Sequence, residues 1–198
     1  MTSVPDFLES LEAALARCHH LLDDAASRRD APMHTPVVST LGVDGQPRSR
    51  VVVLRAFNAP NNALRFHTDR RSDKARELSL DPRIAMLFYD PAEKMQMRIE
   101  GNATLHSDDE IADEAWRSSQ AMSKLCYATE PPPGALLSHA HAFDLPRDRA
   151  AAEIGRPNFM AISVSVAALE WLWLGAGGHR RALYRFKQSG INASWLVP

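Results

Sequence analysis

What most constrains this chain is how often it reverses direction. From about residue 36 the apolar residues abandon helical spacing. They fall into short β-branched or alternating runs: PVVSTLG, PRSRVVVLRAF, ALRFHT, RIAMLFYD, KMQMRIEGNATLHS and NFMAISVSV. ALEWLWLGAGGHRRALYRF reads as two further strands around a Gly-rich turn, and SWLVP as a short last one. Turn residues separate the runs. Asp44-Gly45 is a hairpin signal, an Asn-rich turn precedes ALRFHT, and Gly101 marks a bend or bulge. Seven or eight short strands joined locally predict a mainly β fold with inserted helices, an antiparallel barrel. Regular β-α alternation is absent, as are GxGxxG and GxxxxGK[ST], so a doubly wound nucleotide-binding sheet is not expected.

Three helical stretches interrupt the strands. Residues 5–27 place Phe7, Leu8, Leu11, Ala14, Leu15, Leu21 and Leu22 largely at three- and four-residue spacing, with Ser3 as the expected cap. RSDKARELSLDP predicts about two turns closed by Pro82, and a third helix runs from Asp108 towards Tyr127. Residues 134–157 read as a connector after Pro131-Pro132-Pro133-Gly134. With 198 residues, one domain over 1–198 is expected, with residues 1–30 forming a helix packed on the barrel.

The near balance of 23 basic and 24 acidic residues argues against a general nucleic-acid binder. No run approaches the ~18 apolar residues of a membrane span. The acidic N-terminus does not read as a secretory signal, so a cytoplasmic location is expected. Cys18 and Cys126 lie far apart with no CxxC, which argues against disulfide or zinc chemistry; Cys126 is expected in the core. His139, His141 and Asp144 make a weak metal pattern, and no GxSxG turn supports a nucleophilic serine. Trp171 and Trp173 share a strand face, where a core role is the simpler reading; Arg181 and Arg185 share a face on the next strand.

The chemistry concentrates between Arg50 and Lys74. Arg50 and Arg55 bracket Val51, Val52, Val53 and Leu54, and Thr68, Ser72 and Lys74 follow where a strand gives way to a helix. Cations beside hydroxyls at a helix start suit a phosphate monoester, and the apolar strand edge suits a flat heterocycle. A flavin mononucleotide combines the two. A solvated, Arg-flanked strand end accounts for the same pattern when it is taken alone.

From about Pro36 to Pro198 the sequence resembles the pyridoxamine 5'-phosphate oxidase superfamily of FMN-binding split-barrel proteins. The resemblance is carried by RVVVLR, FHT, RSDKARELSLDPRIAMLFY and QMRIEG in order. It implies that Arg50 and Lys74 approach the FMN phosphate and that the backbone from Val51 to Leu54 meets the ring, with Arg55 ending that motif. His67-Thr68 and Ser72 match further cofactor positions. Gln96, Trp173 and Arg185 match positions supplied by a partner subunit, which implies a homodimer with FMN at the interface.

Departures from the family pattern fall mainly on the substrate side. Asp73 replaces an Arg and is expected to point away or to pair with Arg70 or Arg71. Arg55 replaces a Lys that grips the substrate phosphate in the family, and Ala115, Ser119 and Leu183 stand where the family carries a Tyr, an Arg and a His, leaving Ser123 and Arg181 as substrate-binding candidates with Arg55 as a surviving cation. A Gln-Ser pair falls in the proline run and is missing. The resemblance therefore implies an FMN-binding flavoprotein and oxidoreductase with an unassigned substrate and no essential side-chain acid or base. The alternatives are a non-catalytic FMN-binding or storage protein, and an authentic pyridoxamine 5'-phosphate oxidase.

Overall fold

In the computed structural model, which describes residues 5–198, one strand organises the others. The nine strands are β1 (Val37–Leu41), β2 (Pro47–Val51), β3 (Leu54–Asn58), β4 (Ala63–Asp69), β5 (Arg83–Asp90), β6 (Met95–His106), β7 (Phe159–Trp173), β8 (Arg180–Lys187) and β9 (Gly190–Leu196). The helices are α1 (Leu11–Ser27), α2 (Asp73–Leu80), α3 (Glu110–Ser118) and α4 (Ala121–Lys124), with short 3₁₀ turns between them. The sheet order is β2-β1-β5-β6-β7-β4-β3, with β8 on β7 and β9 on β8. Every pairing is antiparallel and the sheet does not close.

Strand β7 is 15 residues long and pairs with β6 along one edge. Its other edge is shared, with residues 159–165 pairing with β4 and residues 168–173 with β8. The changeover coincides with a bulge, because Glu100 pairs with Ala168 but Gly101 with Val166, which leaves Ala167 as the extra residue. Bulges bend the strand that carries them, and here the bend lets one strand serve two neighbours. Gly101 is needed on the facing strand, since a Cβ there would stand 2.3 Å from the Ser165 carbonyl oxygen.

The core lies between the inner strand faces and α1. Trp171, Tyr184, Phe66, Phe88 and Leu22 are fully buried. The Trp171 indole donates to the Tyr184 hydroxyl (3.2 Å), which in turn donates to the Leu11 carbonyl (2.8 Å) and ties β7 and β8 to α1. Helix α2 buries Ala75 and Leu78 and packs against β1 and β6.

Several expectations need correction. The run PRSRVVVLRAF is two strands, because pairing with β1 ends at Val51 and pairing with β4 begins at Leu54. Between them Val52 is buried and its amide donates to the Pro36 carbonyl, so the chain crosses from one sheet edge to the other. NFMAISVSV and ALEWLW are one strand, since the bulge absorbs the break in alternation. The last strand begins at Gly190, four residues before SWLVP. The third helix ends at Ser118 and restarts at Ala121. That restart changes the phase, so Leu125 turns inward and Cys126 is exposed; the buried cysteine is Cys18. Helix α1 is capped by Ser10, whose hydroxyl accepts from the Ala13 amide (3.2 Å), and the cap expected at Ser3 lies outside the described residues.

Gly101→Ala should destabilise the protein by roughly 1–3 kcal/mol, because the close neighbour is a backbone carbonyl that cannot rotate away. Urea unfolding should show a lower midpoint at an unchanged slope. An unchanged midpoint would show that the strands can part at the bulge without cost.

Candidate functional site

Where β4 runs out, alternation sends Thr68 and His67 to opposite faces. Thr68 points towards α2. Its hydroxyl lies 3.1 Å from the Ser72 hydroxyl and accepts from the Lys74 ammonium at 3.0 Å. Ser72 occupies the N-cap of α2, yet its side chain caps no helix amide. Lys74 has no carboxylate within ion-pair distance among the described residues. Burial, and then the nearby Arg50 charge, lower its pKa. Two buried hydroxyls, a partly desolvated ammonium and the positive end of a helix dipole converge without an anion of their own. These residues fit a phosphate monoester such as that of FMN.

Arg50 reaches the same region from β2. One guanidinium nitrogen donates to the buried Glu77 carboxylate at 2.7 Å and the other to the Thr40 hydroxyl. Burial opposes the charge on Glu77, but Thr40, Arg50 and Arg48 outweigh it and hold its pKa below the usual value. Thr40 and Glu77 were not singled out in the sequence. The only signal was a glutamate on the inward face of the α2 pattern. Asp73 is exposed and pairs with Arg76 (3.3 Å), while Arg71 pairs with Asp69 (2.7 Å) and Arg70 with Asp108 (3.6 Å). Arg71 also donates to the carbonyls of Thr129 and Glu130, tying the β4-α2 loop to the segment before the prolines.

The opposite face of β4 carries Arg65 and His67. Arg55 is the extra residue of a bulge in β3, since Leu54 pairs with Phe66 and Ala56 with Arg65. The His67 ring meets Phe159 edge-on at 4.8 Å, and Tyr127 and Trp116 pack on Phe159 in the same manner. Burial, then the charges of Arg55 and Arg65, lower the His67 pKa to about 3. Within the Val51–Leu54 run, Val52 and Leu54 are buried and Val51 is exposed.

The remaining site candidates lie elsewhere in the fold. Gln96 pairs with Leu172, Trp173 with Met95 and Arg181 with Leu172, at the end of β7 remote from Thr68, which pairs with Met160. That separation is on the order of 40 Å of extended strand. Arg185 pairs with Ala168, part of the way along. Arg181 contacts Glu170 (3.0 Å), which leaves its buried Nε without a partner. Ala115 is fully buried and its carbonyl accepts the Ser119 hydroxyl (2.7 Å), so neither offers a donor to a ligand; Ser123 is half-buried on α4. His139 and His141 are exposed.

The His67 shift has a definite consequence for acid stability. Its folded pKa of about 3 lies below the ordinary 6.5, so between these values the unfolded chain binds more protons. Stability is therefore lost as pH falls from 6.5 towards 3, by up to about 1.4 kcal/mol per unit. His67→Leu should flatten this slope in urea denaturation measured across about pH 6.5 to 4.5. A slope equal to that of the wild type would show that another group carries the acid response.

Residues 15–107 match the family described as "Pyridoxamine 5'-phosphate oxidase, FMN-binding domain". A pyridoxine/pyridoxamine 5'-phosphate oxidase of Anaeromyxobacter dehalogenans is 36% identical over 63% of this chain and 58% of its own length. One from Chromobacterium violaceum is 26% identical over 96% of this chain and 91% of its own. The chain spans about half the length of the first curated relatives it matches, 58% and 52% for those of Anaeromyxobacter and Caulobacter. Among solved structures, a pyridoxamine 5'-phosphate oxidase-related, FMN binding protein from Nostoc punctiforme superposes with a TM-score of 0.73 at 23% identity, covering 100% of both chains. PhzG from Burkholderia lata gives 0.74 at 20% identity, over 100% of this chain and 98% of its own, so both likenesses establish the fold. Residues 15–107 thus match the FMN-binding domain of the pyridoxamine 5'-phosphate oxidase family, and the chain as a whole has the fold of the FMN-binding protein from Nostoc punctiforme.

Proposed function

We propose that the protein is an FMN-dependent oxidoreductase that works as a homodimer. The observation that carries this reading is the cradle of Thr68, Ser72 and Lys74 at the start of α2, with Arg50 alongside. Thr68, Ser72 and Lys74 would hold the FMN phosphate by charge-assisted hydrogen bonds. The Glu77 and Thr40 contacts fix the Arg50 guanidinium and keep α2 seated against β1 and β2. When bound, FMN supplies the redox chemistry, accepting and passing on hydride equivalents. The protein's own part is to bind and orient, and no side chain is assigned as an essential acid or base.

Two observations favour the dimer. Gln96 and Trp173 lie too far along β7 to join the cradle of their own chain, so a shared site would need a second copy. An apolar row also runs across three strands in register: Val51 opposite Val37, and Val37 opposite Leu87. Val51 and Leu87 are 62% and 39% exposed, and Tyr89, paired with Gln96, is 48% exposed. A second copy would cover this face. The described helices include none long and apolar enough to cross a membrane.

The FMN-loaded protein should sediment as a dimer. Lys74→Ala should weaken FMN by about tenfold or more while leaving riboflavin affinity nearly unchanged, because only the phosphate contact is removed. Equal losses for both ligands, or a monomer that keeps FMN, would overturn the assignment.

We also infer that pyridoxamine 5'-phosphate and pyridoxine 5'-phosphate are poor substrates. The positions that resemble the family's phosphate-gripping Tyr and Arg are a buried Ala115 and a Ser119 already bonded within its own helix end. Steady-state assays should give kcat/KM well below the ~10⁴ M⁻¹s⁻¹ of ordinary enzymes. Turnover at or above that value would establish the vitamer oxidase instead.

A further inference from the structure

We propose that Glu170 is a positioning residue that sets which charge the substrate carries. By holding Arg181 and Arg98 on the outer face of the sheet, it suits this end of the site to an uncharged part of the substrate and bars a phosphate or carboxylate there. That the group facing Glu170 is a substrate rests on the homodimeric oxidoreductase proposed above, in which a second copy brings this face to a flavin site. The hold of Glu170 on Arg181 does not rest on it.

Register brings three strands together at this point. Gln96 of β6 lies opposite Leu172 of β7, and Leu172 opposite Arg181 of β8. In the next row of the same face Arg98 lies opposite Glu170, and Glu170 opposite Leu183. Glu170 is therefore the diagonal neighbour of Arg181, within reach of a long side chain. Its Oε1 accepts from Arg98 Nη1 at 3.4 Å and lies 3.0 Å from Arg181 Nη2. The Glu170 side chain is 16% exposed, so salt screens these contacts less than it screens a pair in open solvent.

The Arg181 guanidinium has no edge left for a ligand. An arginine grips an oxyanion by presenting two parallel N–H groups. Here Nη2 is committed to Glu170, Nη1 donates to the Val197 carbonyl at 3.5 Å, and Nε is buried without a partner. An oxyanion reaches a paired edge only if the contact with Glu170 breaks. Arg98 is matched as well, since its other terminal nitrogen lies 3.9 Å from Glu100. Two cations and two carboxylates thus balance beside Gln96 and Leu172. An uncharged group meets no penalty there, whereas a phosphate sets a second negative charge against Glu170. The cradle at α2 is the reverse case: Lys74 contacts the Thr68 hydroxyl and no carboxylate among the described residues, and an anion fits.

The test is calorimetric titration of the FMN-loaded protein with phenyl phosphate and with benzyl alcohol at fixed ionic strength. Glu170→Gln keeps the size of the side chain and one acceptor oxygen but removes the charge. It should tighten phenyl phosphate by about tenfold or more and leave benzyl alcohol unchanged. The double variant Glu170→Gln/Arg181→Gln should return to the wild-type affinity, because the gain comes from the released guanidinium. Arg181→Gln alone should leave phenyl phosphate binding as it is in the wild type, and this variant carries the test even if Glu170→Gln does not fold. No gain in Glu170→Gln, a gain that survives in the double variant, or a tenfold loss in Arg181→Gln alone would overturn the proposal. The same titrations are repeated without added flavin, and FMN uptake is read separately from the flavin spectrum. Failure of uptake with the Arg181-dependent gain intact would count against the flavin reading alone.

Discussion

The architecture depends on one strand keeping three neighbours. β7 holds β6 from Ala161 to Trp173 and divides its other edge between β4 and β8, with Ala167 bulging out opposite Gly101 at the division. Without the bend, β4 and β8 would compete for the same edge. With it, the first half of β7 serves the strand that leads into the cradle, and the second half serves β8, which carries both Arg181 and Arg185. The cost is local and steric: a backbone carbonyl occupies the space where any side chain at residue 101 would begin.

The β4-α2 junction inherits its order from that frame. Pairing with β7 fixes the register of β4, and the register fixes which face each residue takes. Thr68 joins Ser72 and Lys74, while His67, on the opposite face with Arg65, meets Phe159. Two electrostatic environments therefore back onto each other across one strand. On one side burial lowers the Lys74 pKa beside two hydroxyls, and on the other it holds His67 neutral between two arginines. Two neighbouring cations are matched to carboxylates, Arg50 with Glu77 and Arg71 with Asp69.

The cradle was legible because its members are close in sequence. Thr68, Ser72 and Lys74 span one strand end and one helix start, and local periodicity is enough to bring them together. The partners of Arg50 were not legible. Thr40 lies on a neighbouring strand and Glu77 on a helix, and a buried glutamate on an amphipathic helix reads like any exposed one until the helix is docked. The exposure of Cys126 is not legible in the sequence for a related reason. The helix expected to run on to Tyr127 stops and restarts, and the change of phase moves Leu125 inward instead.

Sequence alone determined the strand-rich antiparallel class, the local turns and the cluster at the start of α2, because strand alternation, hairpin signals and helix starts are encoded over a few residues. Only the tertiary structure decided that PRSRVVVLRAF is two strands serving opposite edges of an open sheet, that β7 is continuous through a bulge, and that Gln96 and Trp173 stand remote from Lys74 in the same chain. It also decided that Arg65 and His67 share one face of β4, each with a buried nitrogen that has no hydrogen-bond partner. These outcomes depend on which strands pair and in what register. Register is settled by which side chains the whole sheet can bury together, and no short window of sequence contains that information.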